Sequence, residues 1–255
     1  MGTVKNFNCG LRKKVRWSLC HEFSRPVSDI HGDIDIGKIK PWKKRLRRSN
    51  VPLTRDDILI VCGDMGICWD AGAFDYYIQK YWEMQPITVL FVPGNHENYP
   101  EIMRHPFVDT PWGDKAYQIT ENVYCLRRGG YYTIEGKTFF TFGGARSHDM
   151  WCRKEGKSWW KEELPTGEEC EYGFEVLTAH GNKADFLITH CADDILLHEI
   201  EKVNHFHAEH DILTNYLRII KSIADFGHHY FGHYHYDADF DGKATVLYNK
   251  IIQII

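Results

Sequence analysis

Five short stretches of this chain concentrate aspartate, asparagine and histidine: residues 28–33 (SDIHGD), 62–66 (CGDMG), 93–97 (PGNHE), 188–193 (ITHCAD) and 231–235 (FGHYH). Histidine is the commonest metal ligand and the usual acid–base group near neutral pH, and the chain carries 15 of them. Alternate residues of an extended strand point to one side, so Asp29 with His31, and His233 with His235, can each converge on one site. Gly32, Gly63, Gly94 and Gly232 let the backbone turn tightly beside it. D-x-H and H-x-H carry little meaning singly, because a lone His or Asp at a strand end is more often structural than a ligand. The joint pattern points to a metal centre.

Such a centre needs elements that bring distant segments together. The apolar runs 58–62 (ILIVC), 87–92 (ITVLFV) and 186–189 (FLIT) read as buried strands, each ending at one of the polar clusters. A shorter run, 230–232 (YFG), ends at HYH. Polar residues just past the C-terminal ends of core strands are where ligands bind in α/β folds. Helical patterns lie at 33–48, where Pro41 breaks or restarts the helix, and at 71–84, 164–180 and 211–224. Thr166 and Glu169 are placed to form a capping box. The middle of the chain reads as β at 123–126, 131–134 and 138–142, with a hairpin turn at Glu135-Gly136-Lys137. No internal repeat, low-complexity segment or linker is visible, so one domain is expected.

Together and in this order, the five clusters resemble the calcineurin-like metallophosphoesterases. That family's signature runs D-x-H, GD, GNH[DE], a lone His after a strand, then GHxH. The resemblance spans Asp29 to His235 and implies an α/β fold with a central β-sandwich flanked by helices. It implies that Asp29, His31 and His235 are ligands of one metal, and Asn95, His190 and His233 of a second. Asp64 is implied as the carboxylate bridging both, and His96 as the general acid that protonates the leaving group. Two divalent ions ~3.5–4 Å apart activate water and clamp phosphoryl oxygens, which is the basis of phosphoester hydrolysis on this scaffold. Asn95 supplies oxygen without negative charge that would repel phosphate, and His96 must stay off the metals to act as an acid. Nitrogen and oxygen ligands without thiolate suit Mn, Fe or Zn rather than Ca.

The pattern departs from the family in two places. Members carry an apolar strand just before D-x-H, whereas here His21-Glu22-Phe23-Ser24-Arg25-Pro26-Val27 precedes it, and Pro26 cannot donate to a sheet ladder. Residues 1–24 are therefore expected to be an atypical or disordered extension, and residues 25–255 the domain. Phosphoprotein phosphatases of this superfamily carry arginines soon after the GD aspartate and after GNHE. Here Asp64 is followed by Met65-Gly66-Ile67-Cys68-Trp69-Asp70, and Glu97 by Asn98-Tyr99-Pro100. A dedicated Ser/Thr protein phosphatase is thus less expected, and GGARSHD (143–149) with SWWKEE (158–163) resembles a bacterial or phage-type branch. In the segment 146–160, Arg146 or Arg153 is the candidate cation for the substrate phosphate. Trp151, Trp159 and Trp160 are expected either to stack on an aromatic leaving group or to pack on the core.

The formal net charge of -4 argues against a nucleic-acid backbone as the main partner. A small phosphoester is the expected substrate, with a nuclease or nucleic-acid phosphatase as the second reading. A non-catalytic interaction module is the third, and the full ligand set argues against it. The eight cysteines form no C-x-x-C pair, which argues against a zinc ribbon or a compact disulfide framework; Cys62 and Cys191 read as small buried residues. No apolar stretch approaches the ~20 residues that span a bilayer, and no apolar h-region follows the basic residues 12–16. The cytoplasm is the expected compartment, with no membrane partner. The basic run Lys43, Lys44, Arg45, Arg47 and Arg48 reads as a solvated helix face. His205, His207 and His210 form H-x-H-x-x-H, a spacing that could ligate a metal, but read rather as a solvated loop before a helix; His228 and His229 read as structural.

Overall fold

The computed structural model describes residues 18–19, 53–204, 210–252 and 254. Asp29, His31, the helical pattern at 33–48 with its basic run, and His205 and His207 lie outside these residues. The first half of the described chain runs β1 (Ser18–Leu19), β2 (Ile58–Val61), α1 (Ala73–Glu83), β3 (Thr88–Phe91), α2 (Tyr99–Ile102), β4 (Phe107–Thr110), β5 (Gly113–Thr120) and β6 (Val123–Leu126). The second half runs β7 (Gly130–Ile134), β8 (Lys137–Phe142), α3 (Gly167–Ala179), β9 (Lys183–Thr189), α4 (Asp194–Asn204), α5 (Ile212–Ile223), β10 (Asp225–Phe231), β11 (Ala238–Phe240) and β12 (Ala244–Val246).

Strand order is β1-β2-β3-β6-β5-β7-β8-β9-β10-β12-β11, with β4 on β5. β2–β3, β8–β9 and β9–β10 are parallel. The two halves of the ladder are joined through Gly113 and Tyr132, at the β5–β7 pairing. Period-two alternation then decides the layers. Ile58 and Ile60 of β2 and Leu90 of β3 share one buried cluster with Tyr132, Phe139 and Ile188 from the other half, so the halves stack face to face as a sandwich. The alternate residues Leu59, Val61, Val89 and Phe91 pack outward on Ile78 and Trp82 of α1. Phe140, Phe142 and Leu187 pack outward on Leu177 of α3, Leu197 of α4 and Leu213 and Leu217 of α5. The α/β class and the helix-flanked sandwich are as expected.

Local chemistry accounts for several boundaries. The β7–β8 hairpin turns through Glu135 and Gly136 at φ of 51° and 75°, the mirror-image turn that matches strand twist. Thr166 and Glu169 do form the capping box of α3. Asp211 caps α5, accepting from the amides of Leu213 and Thr214 at 2.8 and 3.0 Å. β9 and β10 begin well before their apolar runs, because the pairing of Lys183 with Asp225 needs backbone groups only. Ser18–Leu19, within the 1–24 stretch, pairs in parallel with β2. The sequence reading passed over α4, which Asp193 initiates by accepting from the amides of Ile195 and Leu196 at 3.0 and 3.4 Å.

Candidate metal centre

Asp64 lies just past β2, Asn95 and His96 just past β3, His190 just past β9, and His233 and His235 just past β10. Asn95 Oδ1 sits 3.1 Å from His190 Nε2 and 3.1 Å from His233 Nδ1. His190 Nε2 is also 3.4 Å from Asp64 Oδ2. Asp64, Asn95 and His190 are buried. The first two of these side chains come from one half of the sandwich and the histidines from the other.

The backbone here is held in unusual conformations. Asp64, His233 and His235 have φ of 50°, 73° and 59°, in the left-handed region that costs a non-glycine residue ~1–3 kcal/mol in strained settings. Two glycines are required by close approach: a Cβ at position 63 would run into the His190 ring, and one at position 94 into the Asp64 carboxylate. Glu97 clamps the two loops together. Its carboxylate accepts from the amides of Asp64 (3.2 Å), Gly66 (3.1 Å) and Gly94 (2.5 Å). Burial, followed by the nearby Asp64 charge, pushes the Glu97 pKa up to about 7 against the pull of those amides.

The donor set fits a divalent metal. His190 Nδ1 lies 2.7 Å from the Cys62 carbonyl, which only accepts, so the neutral ring keeps its proton there and presents a lone pair at Nε2. Asn95 Nδ2 donates to Ser147 Oγ at 3.1 Å, which turns its Oδ1 towards the histidines. The Nε2 lone pair thus faces two oxygen acceptors, an arrangement that repels unless a cation is shared among them. Neutral imidazole, amide oxygen and carboxylate together suit a transition ion of the Mn, Fe or Zn type. The carbonyl partner of His190 is the kind of outer contact that orients metal-ligating histidines.

His96 stands beside this cluster. Its amide donates to Asp64 Oδ1 at 2.8 Å, and the Arg153 guanidinium lies 3.3 Å from its Nδ1 and 3.1 Å from its Nε2. Arg153 is itself held by Asp149 at 2.7 Å and by the Ser158 carbonyl at 3.1 Å. The Trp69 ring lies 5.9 Å from His96 and meets Trp160 edge-on at 5.2 Å. The segment bearing Arg153 is tied to the 93–97 loop by the Asn95–Ser147 contact and by the Gly144 amide, which donates to the Pro93 carbonyl at 2.7 Å.

A family model described as calcineurin-like phosphoesterase matches residues 27–237. The chain belongs to the calcineurin-like phosphoesterase family. Metal-dependent hydrolysis of phosphoesters is the general activity of this family. No curated protein matches the chain. Among the described residues, no helix is long and apolar enough to cross a membrane.

Within this calcineurin-like phosphoesterase, the structure gathers Asp64, Asn95, His190 and His233, and it sets His96 against Arg153. Asp29 and His31 lie outside the described residues. The alternation argument for His233 and His235 needs correction: both lie beyond the end of β10 at positive φ, so they are not neighbours on a strand face. The His235 ring stacks on Tyr248 with centroids 5.2 Å apart. Arg146 is exposed, and its charge acts on Asp211; Arg153, not Arg146, is the arginine beside His96. Trp160 packs in the interior, while Trp151 is exposed. Sequence reasoning missed the positioning roles of Glu97 and Ser147. Glu97 could have been found as the last residue of PGNHE, whereas nothing in the sequence marks Ser147.

Proposed function

We propose that this calcineurin-like phosphoesterase hydrolyses small phosphomonoesters or phosphodiesters with two divalent transition ions, of the Mn, Fe or Zn type. Asn95, His190 and His233 would hold one ion and Asp29, His31 and His235 the other, with the Asp64 carboxylate shared. When bound, such a pair activates water as the nucleophile and withdraws charge from the phosphoryl oxygens. Asp64 keeps its orientation because Oδ1 accepts from the His96 amide while Oδ2 faces His190. His96 donates a proton to the leaving oxygen. Arg153, fixed by Asp149 and Ser158, offers guanidinium donors to the phosphoryl group on the same side. Arg146 at the lip provides a second, more distant cation. The cytoplasm is retained as the compartment.

The observation that carries this reading is the convergence of Asn95, His190, His233 and Asp64 within 3.1–3.4 Å contacts, with His190 Nδ1 committed to a carbonyl. The test is metal analysis of the purified chain, with hydrolysis of aryl phosphomonoesters and phosphodiesters in added Mn, Fe or Zn. Chelation should abolish activity. Asp64→Asn should lower metal content and activity more than loss of either terminal ligand, because this carboxylate serves both ions. Unchanged metal content and turnover in Asp64→Asn would refute the two-ion assignment.

A further inference from the structure

A second group of ligand-type side chains lies away from the family centre. His198 and Glu201 are three residues apart on α4, so they share one face of the helix. His210 stands immediately before Asp211, the residue that caps α5. Each of the three offers one ligand atom, and these atoms lie within 4.8 Å of one another. The His198 and His210 rings meet edge to face with centroids 5.0 Å apart. His210 Nδ1 is 2.9 Å from an Asp194 carboxylate oxygen, and the other oxygen of Asp194 lies 3.7 Å from Arg218 Nε.

We propose that His198, Glu201 and His210 form a Zn²⁺ site, distinct from the phosphoesterase centre, that cross-links α4 to the start of α5. Two imidazoles and one carboxylate, completed by water, make a tetrahedral donor set that zinc accepts. Ligand atoms of a tetrahedral zinc site stand ~3.3 Å apart, given bond lengths of ~2.0–2.1 Å. The three side chains therefore need to close by roughly 1.5 Å at most. His198 and His210 are exposed and Glu201 half-buried, so rotamer changes suffice and the core does not move. Asp194 supplies the outer contact. Its carboxylate accepts the Nδ1 proton of His210, which fixes the tautomer and leaves the lone pair on Nε2.

The cross-link has a consequence for the wall of the phosphoesterase centre. Asp211, next to His210, is half-buried at the N-terminus of α5, where the charge of Arg146 acts on it. An ion held at His210 would fix the start of α5, where Asp211 caps the helix. The ion's role is structural, and no step of hydrolysis passes through it.

Zinc binding to the chelator-stripped full chain tests the proposal, read as bound zinc after gel filtration, as the zinc-induced shift in Tm, and as the visible absorption of the cobalt-loaded protein. Wild type is expected to hold one more zinc equivalent than His198→Ala, His210→Ala or Glu201→Gln, and to show the larger Tm shift. His210→Ala should lose part of the tetrahedral cobalt absorption. Asp194→Asn is expected to weaken this equivalent by about 10–100-fold. Asp64→Asn, a change at the family centre, should leave it in place, which separates failure here from failure of the hydrolase reading. Equal zinc content and equal Tm shifts in wild type, His198→Ala and Glu201→Gln would overturn the proposal.

Discussion

Gly94→Ala changes no proposed ligand and adds one methyl group, yet it is expected to disable the centre. A Cβ at position 94 would stand 2.6 Å from the Asp64 amide nitrogen, where ordinary contact begins at 3.4 Å, and would overlap the Asp64 carboxylate. One chain must therefore move by roughly 0.8 Å. The nitrogen cannot yield by a rotamer change, because it is backbone and donates to Glu97 at 3.2 Å. Gly94 is equally fixed, since its own amide donates to the same carboxylate at 2.5 Å. Overpacking of this kind costs about 1–3 kcal/mol of stability. A reacting geometry displaced by about 1 Å can lose about 10²-fold in rate. The expected outcome is a folded protein with lowered metal content and turnover reduced by about two orders of magnitude. Metal analysis, denaturant unfolding and aryl phosphate hydrolysis on one preparation measure all three. Wild-type metal content and turnover in Gly94→Ala would show that the β2 and β3 loops do not set the position of Asp64 as argued.

If His96 protonates the leaving oxygen, His96→Ala should lower turnover by ~10²–10⁴ with metals still bound. The loss should shrink for substrates with good leaving groups, and an equal loss for good and poor ones would remove the acid role. Arg153→Ala deletes a charged donor worth about 1.5–3 kcal/mol, so kcat/KM should fall by about 10–150-fold at constant metal content. Arg146→Ala should do less; wild-type kinetics in Arg153→Ala would return the 146–160 segment to a purely structural role. His229 is fully buried, and burial, with the Lys221 charge adding to it, pushes its pKa well below 6.5. Below about pH 6.5 the unfolded chain gains a proton that the folded chain refuses, so stability falls as the pH drops through that region. His229→Phe should flatten this acid limb in denaturation midpoints taken between pH 7.5 and 5; an unchanged slope would clear His229 of the effect.

The fold was most legible where pattern and packing agree. Residues 123–126 are a strand with the boundaries expected, because both of its faces bury apolar side chains. The 211–224 pattern became α5, since Leu213, Leu217 and Ile220 fill one core cluster. Sequence was silent on β4 and β5, whose exposed and half-buried positions alternate with few fully buried ones. α4 was not legible because it starts directly at the end of the 188–193 cluster, with no separate boundary signal, although Leu197 and Ile200 mark its buried face. At the centre, residue types and order singled out Asp64, Asn95, His190 and His233, and the fold brings these four side chains together. Choosing between Arg146 and Arg153 was beyond sequence. Arg153 reaches His96 from 57 residues away, along a loop whose course depends on Gly144 meeting Pro93. Positive φ at His233 and His235 is likewise a property of tertiary context, since propensity alone disfavours it.

The strained residues raise the question of what holds them, and the answer lies in bonds between loops. Glu97 joins the loop after β2 to the loop after β3. The Gly232 amide donates to the His190 carbonyl at 2.8 Å, and the Ala192 amide donates to the Tyr234 hydroxyl at 3.0 Å, joining the loops after β9 and β10. Contact between the two pairs of loops runs through the ligand side chains and through His190 Nδ1 on the Cys62 carbonyl. Each half of the sandwich thus organises its own share of the centre, and the complete donor set exists only when the halves are packed together. An ion that requires donors from both halves binds the folded chain and not the unfolded one, so it stabilises by mass action, by about 2.7 kcal/mol at a hundredfold excess over its Kd. The left-handed conformations at Asp64 and His233 oppose folding by a comparable amount. On the proposed assignment, metal binding and closure of the sandwich would be linked equilibria, and the strain at these residues would be offset most fully with the centre loaded.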